Sequence, residues 1–276
     1  MPLPSGDSDL RRNDGKVRNM KYNGSIQKAF AILEHFTTEK SEWGVTELAK
    51  AVGSNKSTIY RMLATLEQLG VIHQNTDSDK YSLGLKLFEL GNRVKVHASF
   101  VKQTHSELEK VAEDIRETVH LAILKNNQVF YIDKAESPQG LAMSTNIGTY
   151  RAAHATSLGK VLLAFTPNSS LEVSINKLLI NNSLSKITNH TITEKSTLIT
   201  ALQKVKNQGY AIDREEFEIG LICVAIPVFN QKNEVVASLS ASGPANRFEE
   251  AEIEKYVGIL KSGADAIRLK IGNFSI

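Results

Sequence analysis

Between Val45 and Gly70, apolar residues recur at helical spacing on both sides of one glycine, and this constrains the fold more than any other stretch. Before Gly53, Leu48, Ala49 and Val52 form a short stripe. After it, Ile59, Met62, Leu63, Leu66 and Leu69 form a longer one. A glycine at that point supplies the positive φ of a tight turn. Small Ala49 lets the two helix axes approach, so the stripes share a core. A preceding helix is predicted over Ile26 to Phe36, with Ser25 as its N-cap and Ile26, Phe30 and Leu33 on one face. Val71 to Gln74 and Lys80 to Leu83 read as a hairpin around a turn at Asn75 to Asp79. Three helices followed by a hairpin form a winged helix-turn-helix.

The third helix has an unusual beginning. Asn55 is a good N-cap, and Lys56, Ser57, Thr58, Tyr60 and Arg61 project away from the apolar stripe. The first acid of this helix is Glu67, although the helix dipole favours acids at the N-terminus. Such an end suits nucleic acid: free N–H groups and Lys56 meet phosphate, Ser57 and Thr58 reach base edges or phosphate, and Arg61 reaches guanine bidentately. Lys80 of the wing adds a cation. Charge alone would not suggest DNA, because residues 25–83 carry six Lys/Arg against seven acids. A solvated helix face is the bland reading of the same residues; the turn glycine, the shared core and the hairpin favour DNA.

The chain has 276 residues, enough for two domains, and a net charge of +3. No apolar run approaches a membrane span, and no secretory h-region opens the sequence, so a soluble protein with no membrane partner is expected. The single cysteine, Cys223, excludes an intramolecular disulfide framework and fits a reducing cytoplasm. Residues 1–23 read as a disordered leader, 24–84 as the winged domain and 85–100 as a helical linker within a longer helical pattern, Leu85 to about Val119, broken near Ala98. Residues 101–276 mix strands and helices: strands at 121–124, 129–133, 221–229 and 235–242, with turns at Asn126–Asn127 and 230–234, and helices at 158–165, 198–208 and 248–271. The fold class is therefore α/β (α+β).

Within this second domain, His154-Ala-Thr-Ser-Leu-Gly-Lys160 precedes an apolar helical run, offering unpaired N–H groups to a carboxylate or phosphate; an ordinary capped helix reads equally well. Ser240 and Ser242 share one face of a strand, Cys223 lies on the neighbouring strand, and Asp213 precedes that strand. Glu215, Glu216 and Glu218 read as a solvated loop, and Arg151 as the nearest counter-charge for an anion. Cys223, His154 and Asp213 also supply the types for a thiol enzyme or a zinc site. The apolar surroundings of Cys223 instead suit a small hydrophobe, and no HExxH or paired-cysteine spacing exists. No catalytic residue, metal or cofactor is assigned.

The stretch Trp43-Gly-Val-Thr-Glu-Leu-Ala-Lys-Ala-Val-Gly-Ser-Asn-Lys-Ser-Thr-Ile-Tyr-Arg, followed by Tyr81-Ser-Leu-Gly, resembles the DNA-binding domain of the IclR family of bacterial transcription regulators. Gly148-Thr-Tyr-Arg-Ala-Ala-His-Ala-Thr-Ser-Leu-Gly-Lys and Gly209-Tyr-Ala-Ile-Asp-Arg-Glu-Glu-Phe-Glu-Ile-Gly-Leu-Ile-Cys resemble two signature stretches of that family's effector domain. The resemblance covers roughly residues 24–272. It implies a GAF-like effector-binding domain with a central antiparallel sheet, a homodimer or homotetramer on a palindromic operator in double-stranded DNA, and affinity altered by a small organic acid. It also implies effector contacts from Met143, the backbone at Ser157 and Leu158, Asp213, Leu221, Cys223, Ser240 and Ser242. Relatives often carry alanine where this chain has the bulkier Leu158. The family contains repressors and activators.

Overall fold

The computed structural model describes residues 23–37, 40–139, 145–166, 175–176 and 184–274. The leader read over 1–23 therefore lies outside the described residues except for Asn23, and so does Met143. The chain divides into two compact units between Arg93 and Val94.

The first unit holds α1 (Gly24–Leu33), α2 (Val45–Val52), α3 (Lys56–Gln68), β1 (Ile72–Gln74), β2 (Tyr81–Leu83) and α4 (Leu85–Gly91). Its core is Ile32, Phe36, Leu48, Ala49, Ile59, Leu63, Leu66, Ile72 and Tyr81. Gly53 ends α2 in the left-handed region at φ 67°, where a β-carbon is costly, and the Ser54 N–H donates to the Ala49 carbonyl to close the turn. β1 and β2 pair antiparallel, His73 opposite Ser82, and Trp43 bridges to Tyr81 at the outer edge of the ladder. The wing turn is held by Asn75, whose side-chain oxygen accepts the Asp77 and Ser78 N–H groups.

Three local expectations need correction in this unit. Asn23 caps α1, accepting the Ser25 and Ile26 N–H groups, so the helix starts two residues before Ile26 and stops at Leu33. Ile26 and Phe30 are exposed while Ile32 is fully buried, so α1 turns a different face inward. Leu69 is exposed as well; it is the C-cap of α3, and the helix has ended before its side chain can reach the core.

The second unit is built on a six-stranded antiparallel sheet in the order β5-β4-β3-β8-β7-β6. The strands are β3 (Thr118–Lys125), β4 (Gln128–Ala135), β5 (Tyr150–Ala152), β6 (Ala211–Arg214), β7 (Leu221–Phe229) and β8 (Val235–Pro244). Asn126 and Asn127, at φ 52° and 60°, make the tight β3–β4 turn, since asparagine tolerates the left-handed region and the two-residue loop matches strand twist. Period-two alternation then sorts the side chains. Val119, Leu121, Ile123, Val224, Ile226, Leu239 and Ala241 pack under α5 (Lys95–Ile115) and α8 (Glu250–Ile271). The opposite face carries Ala122, Tyr131 and Ala225 against α6 (Ser157–Phe165) and α7 (Lys195–Gln208).

The helical pattern from Leu85 breaks at Asn92–Val94, between α4 and α5, and not near Ala98. Asp213 precedes β7, as expected, and itself lies in an edge strand, β6. Strands β5 and β6 were not legible because three- and four-residue strands carry too few alternations to register. Among the described residues no helix is long and apolar enough to cross a membrane.

Candidate functional site

In the first unit, α3 presents the predicted residues on one exposed end. The Asn55 side-chain oxygen accepts the Thr58 N–H at 2.9 Å, and the Ser57 hydroxyl donates to the same oxygen at 3.2 Å. This cap consumes the Thr58 N–H and fixes the helix start. Lys56, Ser57, Tyr60 and Arg61 are exposed and Thr58 is half-buried, while Ile59 between them is wholly buried. Neither Lys56 nor Arg61 has an ion-pair partner among the described residues, and the first turn of α3 holds no acid. The wing's Lys80 is exposed too, with its field reaching Glu47 at the start of α2. Helix, cap and wing thus leave a positive helix end uncompensated, which is the arrangement that meets phosphate.

In the second unit, register places the predicted effector residues together. Asp213 pairs with Cys223 across β6–β7, Cys223 with Ser242 across β7–β8, and Ser242 with Thr118 across β8–β3. One step along, Ala225 pairs with Ser240 and Ser240 with His120. Asp213, Cys223, Ser242, Ser240 and His120 therefore share the face that α6 covers. Leu221 lies on that face at the β7 end.

The first turn of α6 approaches tightly. A β-carbon on Gly159 would sit 2.2 Å from the Ala153 carbonyl oxygen, so only glycine fits there. Thr156 caps the helix, its hydroxyl accepting the Gly159 N–H at 3.2 Å, and the N–H groups of Ser157 and Leu158 have no intrahelical acceptor available. The Leu158 side chain is buried in the apolar cluster around α6 and α7, so its bulk is taken up by packing.

Burial tunes the titratable groups of this face. The Asp213 carboxyl, pushed up to about 7 by burial and partly held down by nearby Lys160, accepts the Glu216 N–H at 2.7 Å. Burial pushes the Cys223 thiol up, with the Asp213 charge adding to it, so the thiol stays protonated. His120 is pushed down to about 3 by burial and is a neutral imidazole. The Tyr131 phenol, edge-on to His120 with ring centroids 5.3 Å apart, is also raised by burial.

Glu216 corrects the expectation of a solvated acidic loop. It is buried and ion-paired with Lys160, whose Nζ also donates to the Ile212 carbonyl at 3.0 Å. Lys160 is thus the cation beside Asp213. Arg151 lies over the Phe217 ring, 5.5 Å from its centroid, and donates to the Tyr150 carbonyl. His154 hydrogen-bonds the Ser185 carbonyl at 3.1 Å and is not joined to Cys223 or Asp213 by a hydrogen bond. No metal-binding cluster of His, Cys, Asp and Glu is found among the described residues.

Sequence reasoning missed His120 and Lys160. A trace of the first was present: Thr118, His120 and Ala122 alternate with Val119, Leu121 and Ile123, a polar-leaning face that only α6 turns inward. Lys160 in the first turn of an apolar helix was a comparable anomaly, but its partner is 56 residues away.

Comparison with known proteins agrees with both halves. Residues 25–76 match the IclR helix-turn-helix domain, and residues 93–269 match the bacterial transcriptional regulator IclR C-terminal domain. The chain is 37% identical over 248 residues to the transcriptional regulator KdgR of Escherichia coli, covering 90% of this chain and 92% of that one. It is 34% identical over 248 residues to XynR of the same organism, covering 90% and 97%. The crystal structure of Thermotoga maritima IclR matches with a TM-score of 0.68 at 33% identity, over 90% of this chain and 98% of that one. A winged helix-turn-helix with a cationic recognition helix, a second unit matched through its whole sheet, and relatives alike along nine-tenths of the chain place it together: the protein belongs to the IclR family and is a DNA-binding transcriptional regulator.

Proposed function

We propose that this regulator binds a palindromic operator through Asn55, Lys56, Ser57, Thr58, Tyr60, Arg61 and Lys80, and that a small organic acid held in the second unit modulates that binding. The single observation that carries the effector reading is the shared face of Asp213, Cys223, Ser240 and Ser242 beneath the first turn of α6, with Asp213 and both serines buried and Cys223 half-buried. Leu221 and the N–H groups of Ser157 and Leu158 complete the contact set, with Met143 assigned by resemblance. The acid's carboxylate accepts the N–H groups at the positive end of α6, and the hydroxyls of β8 meet its remaining oxygens. No catalytic role is assigned. A half-buried thiol that its surroundings keep protonated is a poor nucleophile, and the regulator names of the relatives point the same way.

The protein works in the cytoplasm as a homo-oligomer, either dimer or tetramer. Exposed apolar side chains support association: Leu85 and Phe88 of α4 are 85% and 73% exposed, and Ile26 and Phe30 of α1 are exposed as well. Two recognition helices about 34 Å apart enter successive major grooves. The ligand acts by binding one arrangement of the oligomer better than the other, since equal affinity would shift nothing. Residues 24–84 form the DNA-binding part, 85–100 the linker and 101–276 the effector part. Footprinting of the full chain on the DNA upstream of its own gene, with and without a series of small organic acids, tests this reading. A protected dyad released or tightened by an acid is expected; protection without a dyad, or no response to any acid, would refute it.

A further inference from the structure

Three polar atoms of the buried sheet face have no hydrogen-bond partner: Nδ1 and Nε2 of His120, and Oγ of Ser240. They belong to two residues directly opposite each other across the β3–β8 ladder, each 2% exposed or less. Both point to the face that α6 covers, since neighbouring Ala122 on that face packs in the α6 cluster. An unpaired buried polar atom is costly, and native proteins seldom keep three together without a use. The other polar groups of this face are satisfied: Asp213 by the Glu216 N–H, the Cys223 thiol beside Ser242, and Ser238 by the Ile226 carbonyl. The one other unpartnered buried atom among the described residues is Oε2 of Glu216, a carboxylate whose second oxygen is already paired with Lys160; on the strands themselves the unpartnered atoms belong to His120 and Ser240.

We propose that His120 is a specificity-determining residue, hydrogen-bonding with Ser240 to an uncharged oxygen of the effector, a hydroxyl or carbonyl lying away from its carboxylate. This rests on the effector reading above and names the ligand class more closely: a hydroxy or keto acid, in preference to an acid with a bare hydrocarbon body. A neutral imidazole offers one donor and one acceptor, and the Ser240 hydroxyl offers one of each, so the pair can both donate to and accept from a ligand hydroxyl. Neither can neutralise a carboxylate, which the first turn of α6 is better placed to hold. The ring is not free to choose its position, because it stands edge-on to Tyr131 and within the field of Lys134 on the next strand. A site built to hydrogen-bond an oxygen discriminates against an analogue lacking it, because the buried groups are then left unpaired.

The test uses the full chain and three matched pairs of acids: pyruvate with propionate, gluconate with hexanoate, and 4-hydroxybenzoate with benzoate. Affinities are measured by calorimetry for the wild type, His120→Phe and His120→Leu. The oxygen-bearing member of at least one pair should bind the wild type about tenfold or more tighter, and both variants should bring that ratio to within about threefold. The melting temperature of the unliganded variants is read in parallel and should hold or rise by about 2–4 °C, because an unsatisfied polar ring is replaced by an apolar one. Unchanged discrimination in the variants overturns the proposal and leaves the effector reading intact. A fall of more than about 5 °C in both variants also overturns it, showing a structural histidine completed by internal water. If the wild type binds none of the six acids, the effector reading falls and takes this proposal with it.

Discussion

Replacing Asp213 with asparagine should stabilise the second unit by an amount that grows as pH rises from about 4 to about 7 and then levels off. The carboxyl is 2% exposed, faces Lys160, Glu216 and Cys223, and is pushed from the ordinary 3.8 up to about 7 by burial. A folded-state value above the unfolded one means that the folded protein holds the proton more tightly. The favourable contribution is then fully present below about pH 4 and is lost as pH rises towards 7. At about 1.4 kcal/mol per pH unit, that interval corresponds to a ceiling of about 4 kcal/mol, carried in the wild type as a cost above pH 7. Asparagine keeps the oxygen that accepts the Glu216 N–H at 2.7 Å and never ionises. Asp213→Asn should therefore match the wild type only near pH 3, exceed it by about 1.5 kcal/mol at pH 5 and by about 4 kcal/mol at pH 8. Denaturant titrations at pH 5, 6, 7 and 8, followed by circular dichroism, give the difference. Tryptophan fluorescence would miss it, because the single tryptophan, Trp43, is in the first unit. An offset independent of pH would refute the reasoning, and so would destabilisation at pH 8. The latter would mean that Lys160 holds the carboxylate ionised in the folded state.

Other substitutions test the remaining geometry. Arg61→Ala should weaken operator binding by about 1–3 kcal/mol and relax preference at one base position, measured by gel shift against a mutated operator series. Gly159→Ala must move backbone 2.2 Å away, costing about 3 kcal/mol or more in chemical denaturation and misplacing the Ser157 and Leu158 N–H groups; an unaltered transition would show that the loop before α6 yields freely. Buried Glu117 accepts two hydrogen bonds from Arg247, at 2.5 and 2.7 Å, so Arg247→Met should cost about 3–5 kcal/mol by urea titration and Glu117→Gln in addition should recover part of it.

What the sequence made legible follows the range of the forces involved. The turn at Gly53, the Asn55 cap, the Asn126–Asn127 hairpin and the β7–β8 pair are set by residues within a few positions, and each appears where local chemistry places it. The same-face placement of Ser240, Ser242 and Cys223 follows from strand alternation once two adjacent strands are recognised. The burial of Glu216 could not be read that way, because its cover comes from Lys160 on α6, and neither residue is unusual without the other. His120 was hidden for a related reason: a polar strand face looks solvent-bound until a helix from elsewhere in the chain closes over it. Leu69 failed in the opposite sense, since its spacing continues the stripe while the helix stops one residue too early.

The charge distribution leads to a last prediction, about salt. The folded part of the first unit is nearly neutral, with six Lys/Arg against seven acids over residues 25–83, so long-range attraction to DNA is weak and contact must come from a few placed cations. The geometry offers Lys56 and Arg61 without ion-pair partners among the described residues, and Lys80 on the wing. If all three meet phosphate, one unit has a slope of log affinity against log salt of about −3, and two units on a dyad about −5 to −6. If Arg61 reads guanine instead, the paired slope falls to about −4, because a base contact releases no counterion. Measuring the slope for the wild type and for Lys56→Ala separates these cases: the substitution should remove about one phosphate contact per subunit, shifting the slope by about 2 for a protein bound as a pair and about 1 for a single unit. A steep slope near −10 would refute the contact set and point to cations elsewhere. A slope unchanged by Lys56→Ala would remove the end of α3 from the phosphate path. So small a number of contacts would favour pairing: three placed charges make a weak, salt-sensitive binder, and a second copy at fixed spacing would double the contacts, while a change in that spacing would withdraw half of them together.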